Sequence, residues 1–264
     1  MIDRITEQPF CQTRVSGSTF VNADCFDVFP FIDDKSIDAI ICDLPYGTTA
    51  CKWDSVLPFD KLWEQYERII KPNGAIVLFG SQPFTSALVM SNRDWFKYEL
   101  IWDKDRPTGF PEANKKPLKV HENICVFYAK QPTYNPIKWK GRPNNAQTRG
   151  NKAIDKTVER GKMPVFNNSS VDLSGDKFPI SIVYEKKIAP TKYLHPTQKP
   201  LELIEYLIKT YTNEGDMVLD NTMGSGTCGL ASIKNNRKFI GIEKEKNYYD
   251  IALKRIYEYL DNNK

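Results

Sequence analysis

Two short stretches of this 264-residue chain combine residue types that can do chemistry, the first on a planar group bearing an amine, the second as a glycine-rich turn around a ligand. The first is Asp43-Leu44-Pro45-Tyr46-Gly47. The carboxylate can accept one N–H of the amine and the Leu44 carbonyl the other, Pro45 stiffens the backbone, and Tyr46 can stack on the ring. A strand-end turn with a surface tyrosine is the plainer reading of the same residues. The second stretch is Asp220-Asn221-Thr222-Met223-Gly224-Ser225-Gly226-Thr227-Cys228-Gly229. Its glycines let the backbone approach a ligand closely, and a helix opening there favours negative charge. The match to G-x-G-x-x-G invites a dinucleotide reading, with Glu243 placed for ribose hydroxyls. Asp220 weakens that reading, because a carboxylate opposes a pyrophosphate and suits a cationic group. A tight structural turn is again the alternative.

The elements that must hold these loops are predicted from periodicity. Ile37–Cys42 is a continuous apolar run ending at Asp43 and reads as a buried parallel strand. Met217–Leu219 is a strand ahead of the glycines, followed by a helix to about Asn235, a strand at Phe239–Ile242 and a helix at Lys246–Leu260. Leu57–Ile70 has helical spacing, Lys71–Gly74 reads as a stop and a turn, Ala75–Phe79 as a strand and Pro83–Ser91 as a helix. Thr19–Asn22, Tyr98–Trp102 and Ile124–Tyr128 are further strands, and Pro200–Tyr211 a helix with proline at its start. Strands alternating with helices predict an α/β fold, a mostly parallel sheet with helices on both faces. The chain ends about twenty residues after Glu243, so the rest of the sheet is expected from the N-terminal half, in a permuted order. Phe79-Gly80-Ser81-Gln82 ends a strand on the same face and is a candidate for the pocket wall.

Between Gln131 and Leu194 the chain carries 12 Lys/Arg against 5 Asp/Glu, which leaves 25 basic and 28 acidic residues elsewhere. The whole positive excess therefore lies in one polar segment that is too long for a plain loop, which points to a polyanion partner. The chain then divides into 1–130, 131–194 and 195–264, with 131–194 either an inserted recognition region or partly disordered. Lys138, Trp139, Lys140, Arg142 and Arg149 are its candidate phosphate or base contacts. The 41% hydrophobic content and a mean hydropathy of −0.50 exclude whole-chain disorder and a fibre. No apolar run reaches the roughly 18–20 residues of a membrane helix, and the polar start lacks a signal peptide, so a cytoplasmic location without membrane is expected. Six scattered cysteines and only two histidines give no ligand cluster for zinc; no metal is expected, and the thiols are expected to be reduced. His121 and His195 are read as structural.

Four motifs in order then resemble one family. Asp43-Leu-Pro-Tyr resembles the D-P-P-Y motif of S-adenosylmethionine-dependent DNA amino-methyltransferases, and Asp220-Asn-Thr-Met-Gly-Ser-Gly-Thr their D-P-F-x-G-S-G-T loop. His195-Pro-Thr-Gln-Lys199-Pro200 resembles their H-x-T-x-K-P segment, and Asn22-Ala-Asp24-Cys25 their G-D-C motif. Catalytic motif first, recognition region next and cofactor loop last is similar to the β-class order, over roughly 19–130 and 195–255. The resemblance implies a Rossmann-like methyltransferase fold and S-adenosylmethionine as cofactor. It implies methyl transfer to N6 of adenine in double-stranded DNA, with base flipping and no covalent intermediate, in a restriction-modification context. It places Asp43, Leu44, Pro45 and Tyr46 at the target amine. Asp24 and Cys25 would lie at the cofactor adenine, Glu243 at the ribose, and Asp220, Asn221 and Gly224–Thr227 around the methionine part. Lys199 would meet the methionine carboxylate, and Pro200 beside it is also expected at the cofactor. Leu44 in place of the first proline leaves a backbone role intact; Asn221-Thr222 in place of Pro-Phe removes an aromatic wall. N4 of cytosine, single-stranded DNA or RNA, an inactive DNA-binding subunit, an NAD-dependent oxidoreductase and a homodimeric assembly remain open alternatives.

Overall fold

Residues 2–48, 51, 54–141, 175–188, 194 and 198–263 are described in the computed structural model of the chain. Two compact units are present: one made of residues 1–135 and 181–264, the other of Pro136–Ile180.

In the larger unit the chain forms α1 (Ile2–Thr6), the hairpin β1 (Cys11–Val15) and β2 (Ser18–Asn22), α2 (Cys25–Val28), β3 (Ile37–Cys42), α3 (Phe59–Ile69), β4 (Ile70–Gly80) and α4 (Phe84–Ser91). The long antiparallel pair β5 (Phe96–Thr108) and β6 (Lys119–Phe127) follows. The smaller unit contributes β7 (Trp139–Lys140) and β8 (Asp176–Lys177), which pair with each other. The larger unit resumes with β9 (Ile182–Tyr184), α5 (Leu201–Tyr211), β10 (Met217–Asp220), α6 (Thr227–Lys234), β11 (Lys238–Glu243) and α7 (Lys246–Asn262).

Nine strands build one sheet in the order β1-β2-β11-β10-β3-β4-β6-β5-β9. The run β2, β11, β10, β3, β4 is parallel throughout, while β6 is antiparallel to both of its neighbours. The late strands β10 and β11 are inserted between the early strands β2 and β3, which is the permuted order expected from the sequence.

Both faces of the central strands are apolar, as a sheet covered on two sides requires. In β4, Ile76 and Leu78 pack with Leu62, Trp63, Tyr66 and Ile69 of α3, whereas Ala75, Val77 and Phe79 pack with Leu203, Ile204, Leu207 and Ile208 of α5. This alternation is the period-two pleat of a strand facing two cores. Helix α6 seats directly on the sheet because Gly229 has no side chain there. A Cβ at that position would lie 2.8 Å from the Phe239 ring and 2.9 Å from that of Phe20.

Three element boundaries differ from expectation. Lys71–Gly74 is the lead-in of β4 rather than a turn: Lys71 pairs with Asp38 at 2.7 Å, and a register shift near Ile37 lets the strand begin early. β5 and β6 extend into polar sequence beyond their apolar cores. β9, inside the 131–194 segment, adds to the edge of the large sheet beside β5. Among the described residues no helix is long and apolar enough to cross a membrane.

Candidate active site

Parallel strands bring their C-terminal ends to one edge, and the loops leaving that edge can converge. Here Asp24 follows β2, Glu243 ends β11, Asp220 ends β10 and Asp43 follows β3. Around them lies a cavity of about 970 Å³, lined also by Cys25, Leu44, Pro45, Tyr46, Phe79, Lys199, Asn221, Gly224, Ser225 and Thr227. Gly226 and Pro200 are not among the lining residues; Gly226 caps α6 and Pro200 caps α5. Of the Phe79–Gln82 segment only Phe79 lines the cavity. Gln82 accepts the Ser86 N–H at the start of α4, and Ser81 meets Lys119.

The Asp220–Thr227 loop is fixed from three sides. Met223 N–H donates to the Ile242 carbonyl at 3.0 Å and Gly224 N–H to Glu243 Oε2 at 2.8 Å. Arg255 of α7 reaches over to donate to the Ser225 carbonyl at 2.5 Å and to Thr227 Oγ1 at 3.0 Å. Gly226 has φ +75°, and a Cβ on it would sit 2.6 Å from the Ala252 Cβ, so the turn admits only glycine without displacement. The two residues that depart from the Pro-Phe pattern have structural partners. Asn221 Oδ1 accepts from Tyr66 Oη at 2.5 Å and from Cys42 Sγ at 3.1 Å. Thr222 Oγ1 donates to the Asp43 carbonyl at 3.1 Å and thereby ties the glycine loop to the other loop.

The charge in this cavity is predominantly acidic. Seven carboxylates line it, on Asp24, Asp27, Asp43, Asp54, Asp220, Glu243 and Glu245, against three lysines, Lys61, Lys199 and Lys244. Burial pushes the Asp220 carboxyl up to about 7, against the help of the Thr222 N–H it accepts at 3.1 Å, and Asp43 and Glu243 push the same way. Burial likewise raises Glu243, although it accepts N–H bonds from Gly224 and Glu245, both at 2.8 Å. The Cys25 thiol is pushed up to about 12 by burial. Asp24 caps α2 by accepting the Phe26 N–H at 3.0 Å, and its other oxygen meets Lys244 at 3.1 Å.

At Asp43 each oxygen has one donor. Tyr46 Oη donates to Oδ1 at 2.6 Å, and the Lys199 ammonium donates to Oδ2 at 2.6 Å. Tyr46 packs against Phe84 with ring centroids 4.8 Å apart. The turn that follows is held by Asp54, which accepts the N–H groups of Gly47 and Thr48 at 2.8 and 3.0 Å. Lys199, expected at a cofactor carboxylate, has its ammonium between Asp43 and Glu122, 3.2 Å from the latter. Sequence reasoning missed Glu122, because it lies near the start of a strand. β6 is antiparallel to β4, with Gly80 opposite Asn123, so its beginning, not its end, arrives at the edge of the sheet where Asp43 lies. Lys104, two residues beyond the Trp102 that faces Glu122 across the β5–β6 ladder, pairs with Glu122 at 3.0 Å. His121 is an exposed residue within β6, opposite Asp103. His195 lies outside the described residues.

In the smaller unit, Trp139 is 53% exposed and Phe178 64%, with the Lys138 ammonium 4.7 Å over the Phe178 ring. Lys140 pairs with Asp176 at 2.5 Å. Arg142 and Arg149 lie outside the described residues.

Comparison with known proteins gives concordant results. Residues 37–254 match the sequence profile of the DNA methylase family N6_N4_Mtase. The type II methyltransferase M1.MboII of Moraxella bovis is 27% identical over 245 residues, covering 87% of this chain and 92% of the relative. The type II methyltransferase M2.LlaDCHI of Lactococcus lactis subsp. cremoris is 29% identical over 267 residues, covering 91% and 89%. Among solved structures, the M1.HpyAVI–SAM complex superposes with a TM-score of 0.60 at 28% identity, over 89% of this chain and 98% of that one. The cytosine-N4-specific PvuII DNA methyltransferase superposes with a TM-score of 0.66 over 96% and 95%, at 15% identity, a likeness of fold.

Proposed function

Since this chain belongs to the N6/N4 DNA methylase family, we propose that it transfers a methyl group from S-adenosylmethionine to the exocyclic N6 of adenine in double-stranded DNA. The observation that carries this reading is the Asp43 carboxylate, set beside Tyr46 on the wall of the cavity that the glycine loop also lines. The acidic excess of the lining suits a cofactor bearing a sulfonium and an ammonium better than it suits a pyrophosphate. Asp rather than Ser at position 43 supports adenine over cytosine, in keeping with the motif that the chain resembles.

S-adenosylmethionine, when bound, supplies an already activated methyl group. Glu243 suits ribose hydroxyls, because its two oxygens have each accepted one backbone N–H and keep lone pairs free. Asp24 and Cys25 would meet the adenine, and Asp220, Asn221 and the Gly224–Thr227 turn would hold the methionine part. The target amine is stacked inside the duplex, so the nucleotide must be flipped out at a cost of roughly a few kcal/mol. Tyr46 stacks on the extruded base. Asp43 and the Leu44 carbonyl accept the two amine hydrogens, which favours a pyramidal nitrogen and exposes its lone pair; Pro45 holds the spacing of those two acceptors. In-line positioning then supplies much of the rate, without a covalent enzyme intermediate. Lys138, Trp139 and Lys140 of the smaller unit are assigned to the DNA, where lysines meet phosphates.

The test is methyl transfer from labelled S-adenosylmethionine to unmethylated DNA, with nucleoside digestion and mass spectrometry, alongside Asp43→Ala. N6-methyladenine that disappears in the variant is expected. N4-methylcytosine would overturn the base assignment. Cofactor binding without any product on DNA would overturn the substrate.

A further inference from the structure

A charge chain not foreseen in the sequence runs from the catalytic loop into the sheet. Lys199 is only 7% exposed, yet no water shell is needed to hold its charge, because Asp43 and Glu122 flank it at 2.6 and 3.2 Å. Its ammonium also faces the Phe79 ring at 5.0 Å and the Tyr46 ring at 5.8 Å. Glu122, 17% exposed, is held in turn by Lys104, itself 6% exposed, at 3.0 Å. Two buried cations and two carboxylates thus alternate, Lys104–Glu122–Lys199–Asp43, and balance in charge. Buried ionic groups survive in such a setting only when paired.

We propose that Glu122 and Lys199 are positioning residues for the methyl-transfer reaction assigned above: Glu122 clamps the Lys199 ammonium onto Asp43 Oδ2, which keeps Asp43 ionised and aims its remaining lone pairs at the target amine. This inference rests on that reading for its catalytic consequence, although the clamp itself can be read without turnover. The groups facing Asp43 are Lys199, Glu122, Tyr46 and Asp220. Those facing Glu122 are Lys199, Lys104, Lys119, Lys187, Asp43 and Tyr46. Burial raises the Asp43 carboxyl, Lys199 opposes that rise, and Glu122 adds to it. Burial also acts to raise Glu122, but Lys199 and Lys104 outweigh it and bring that carboxyl down to about 2. Glu122 therefore stays a fixed anion across the working pH range, and Lys199 is what stands between it and Asp43.

The experiment titrates the Asp43 carboxyl carbon by NMR in cofactor-free protein labelled at its aspartate carboxyls, with Asp43→Asn for assignment. The single-turnover rate of methyl transfer is measured against pH in parallel. In Lys199→Gln, the Asp43 midpoint and the acid limb of the rate profile should move up by about one pH unit or more, since a cation is lost and a like charge is left facing the group. In Lys199→Gln/Glu122→Gln both should return at least halfway, and in Glu122→Gln alone, which keeps the Lys199 pair, they should move down. The dissociation constant for S-adenosylmethionine should change by less than about threefold, well under the tenfold that 1.4 kcal/mol represents. An unmoved Asp43 midpoint in Lys199→Gln and Glu122→Gln, or a double variant that fails to return, overturns the proposal. A tenfold weaker cofactor with an unmoved midpoint would assign Lys199 to the cofactor instead. Wild-type protein that titrates as expected but transfers no methyl group counts against the reaction, not against the clamp.

Discussion

Asp220→Asn should stabilise the cofactor-free protein at neutral and alkaline pH, with a gain that builds as pH rises towards about 7. The carboxyl is buried at the end of β10 and titrates at about 7 in the folded chain, against 3.8 for the ordinary group. Below pH 3.8 both folded and unfolded chains hold the proton, and the group adds no pH dependence. Between that value and about 7 the folded chain retains a proton that the unfolded chain has lost, so stability falls as pH rises; above about 7 the loss is complete. A gap of roughly three units at 1.36 kcal/mol each amounts to about 4 kcal/mol. That is a large part of the 5–15 kcal/mol that usually holds a domain together. Asparagine stays neutral throughout, and its oxygen can still accept the Thr222 N–H. Its new N–H groups, if left without acceptors, cost about 1–3 kcal/mol, but this offset does not vary with pH. Urea unfolding of both proteins from pH 5 to 8.5, followed by tryptophan fluorescence, isolates the quantity of interest. The stability difference between variant and wild type should grow by about 2–3 kcal/mol over the range. Parallel curves would refute the reasoning, because they would mean that the folded carboxyl titrates like an exposed one. The same variant should bind the cationic cofactor more weakly, as expected where a strained site is kept for function.

Two other perturbations have definite outcomes. Gly226→Ala forces an L-residue into the left-handed region and places its Cβ 2.6 Å from that of Ala252. The two penalties together should cost about 2–5 kcal/mol, visible in calorimetry as a lowered melting temperature; a loss under about 1 kcal/mol would mean that α7 yields at Ala252. Lys138→Ala with Lys140→Ala should leave the melting temperature unchanged and reduce the slope of log affinity for DNA against log salt by about 1–2. An unaltered slope would remove these lysines from the phosphate contacts.

The central strands and the covering helices were legible because their burial is two-sided. IDAIIC and AIVLF have few polar residues to place, and their neighbours α3 and α5 show one apolar stripe each. Legibility ended where charged residues were buried in pairs. The second half of β5 and the first half of β6 carry Lys104 and Glu122, which read as loop residues until the two, 18 positions apart in the chain, are seen to meet. Lys199 posed the same difficulty: its motif marks it as part of the site, but only the antiparallel run of β6 decides which carboxylates it faces. Asn221 and Thr222 looked like the loss of an aromatic wall. In the fold they are fastenings, one to Tyr66 and Cys42, the other to the Asp43 carbonyl. The hydrogen-bonded neighbours of a loop, 155–179 residues away, cannot be read from spacing.

The insertion of β10 and β11 between β2 and β3 also sets the order in which the protein can become whole on the ribosome. Synthesis proceeds from the N-terminus, so β2 and β3 emerge some two hundred residues before the strands that will lie between them. Until then both present unpaired apolar edges, the kind of surface that invites association with other chains. The nascent protein is therefore a sheet with an open slot. The segment from Met217 to Glu243, which carries β10, the glycine turn and β11, closes that slot and brings the cavity walls together. Termination before β11 is complete would remove the Ile242 and Glu243 partners of the glycine turn and leave the slot exposed, coupling loss of the site to a hazard for proteostasis.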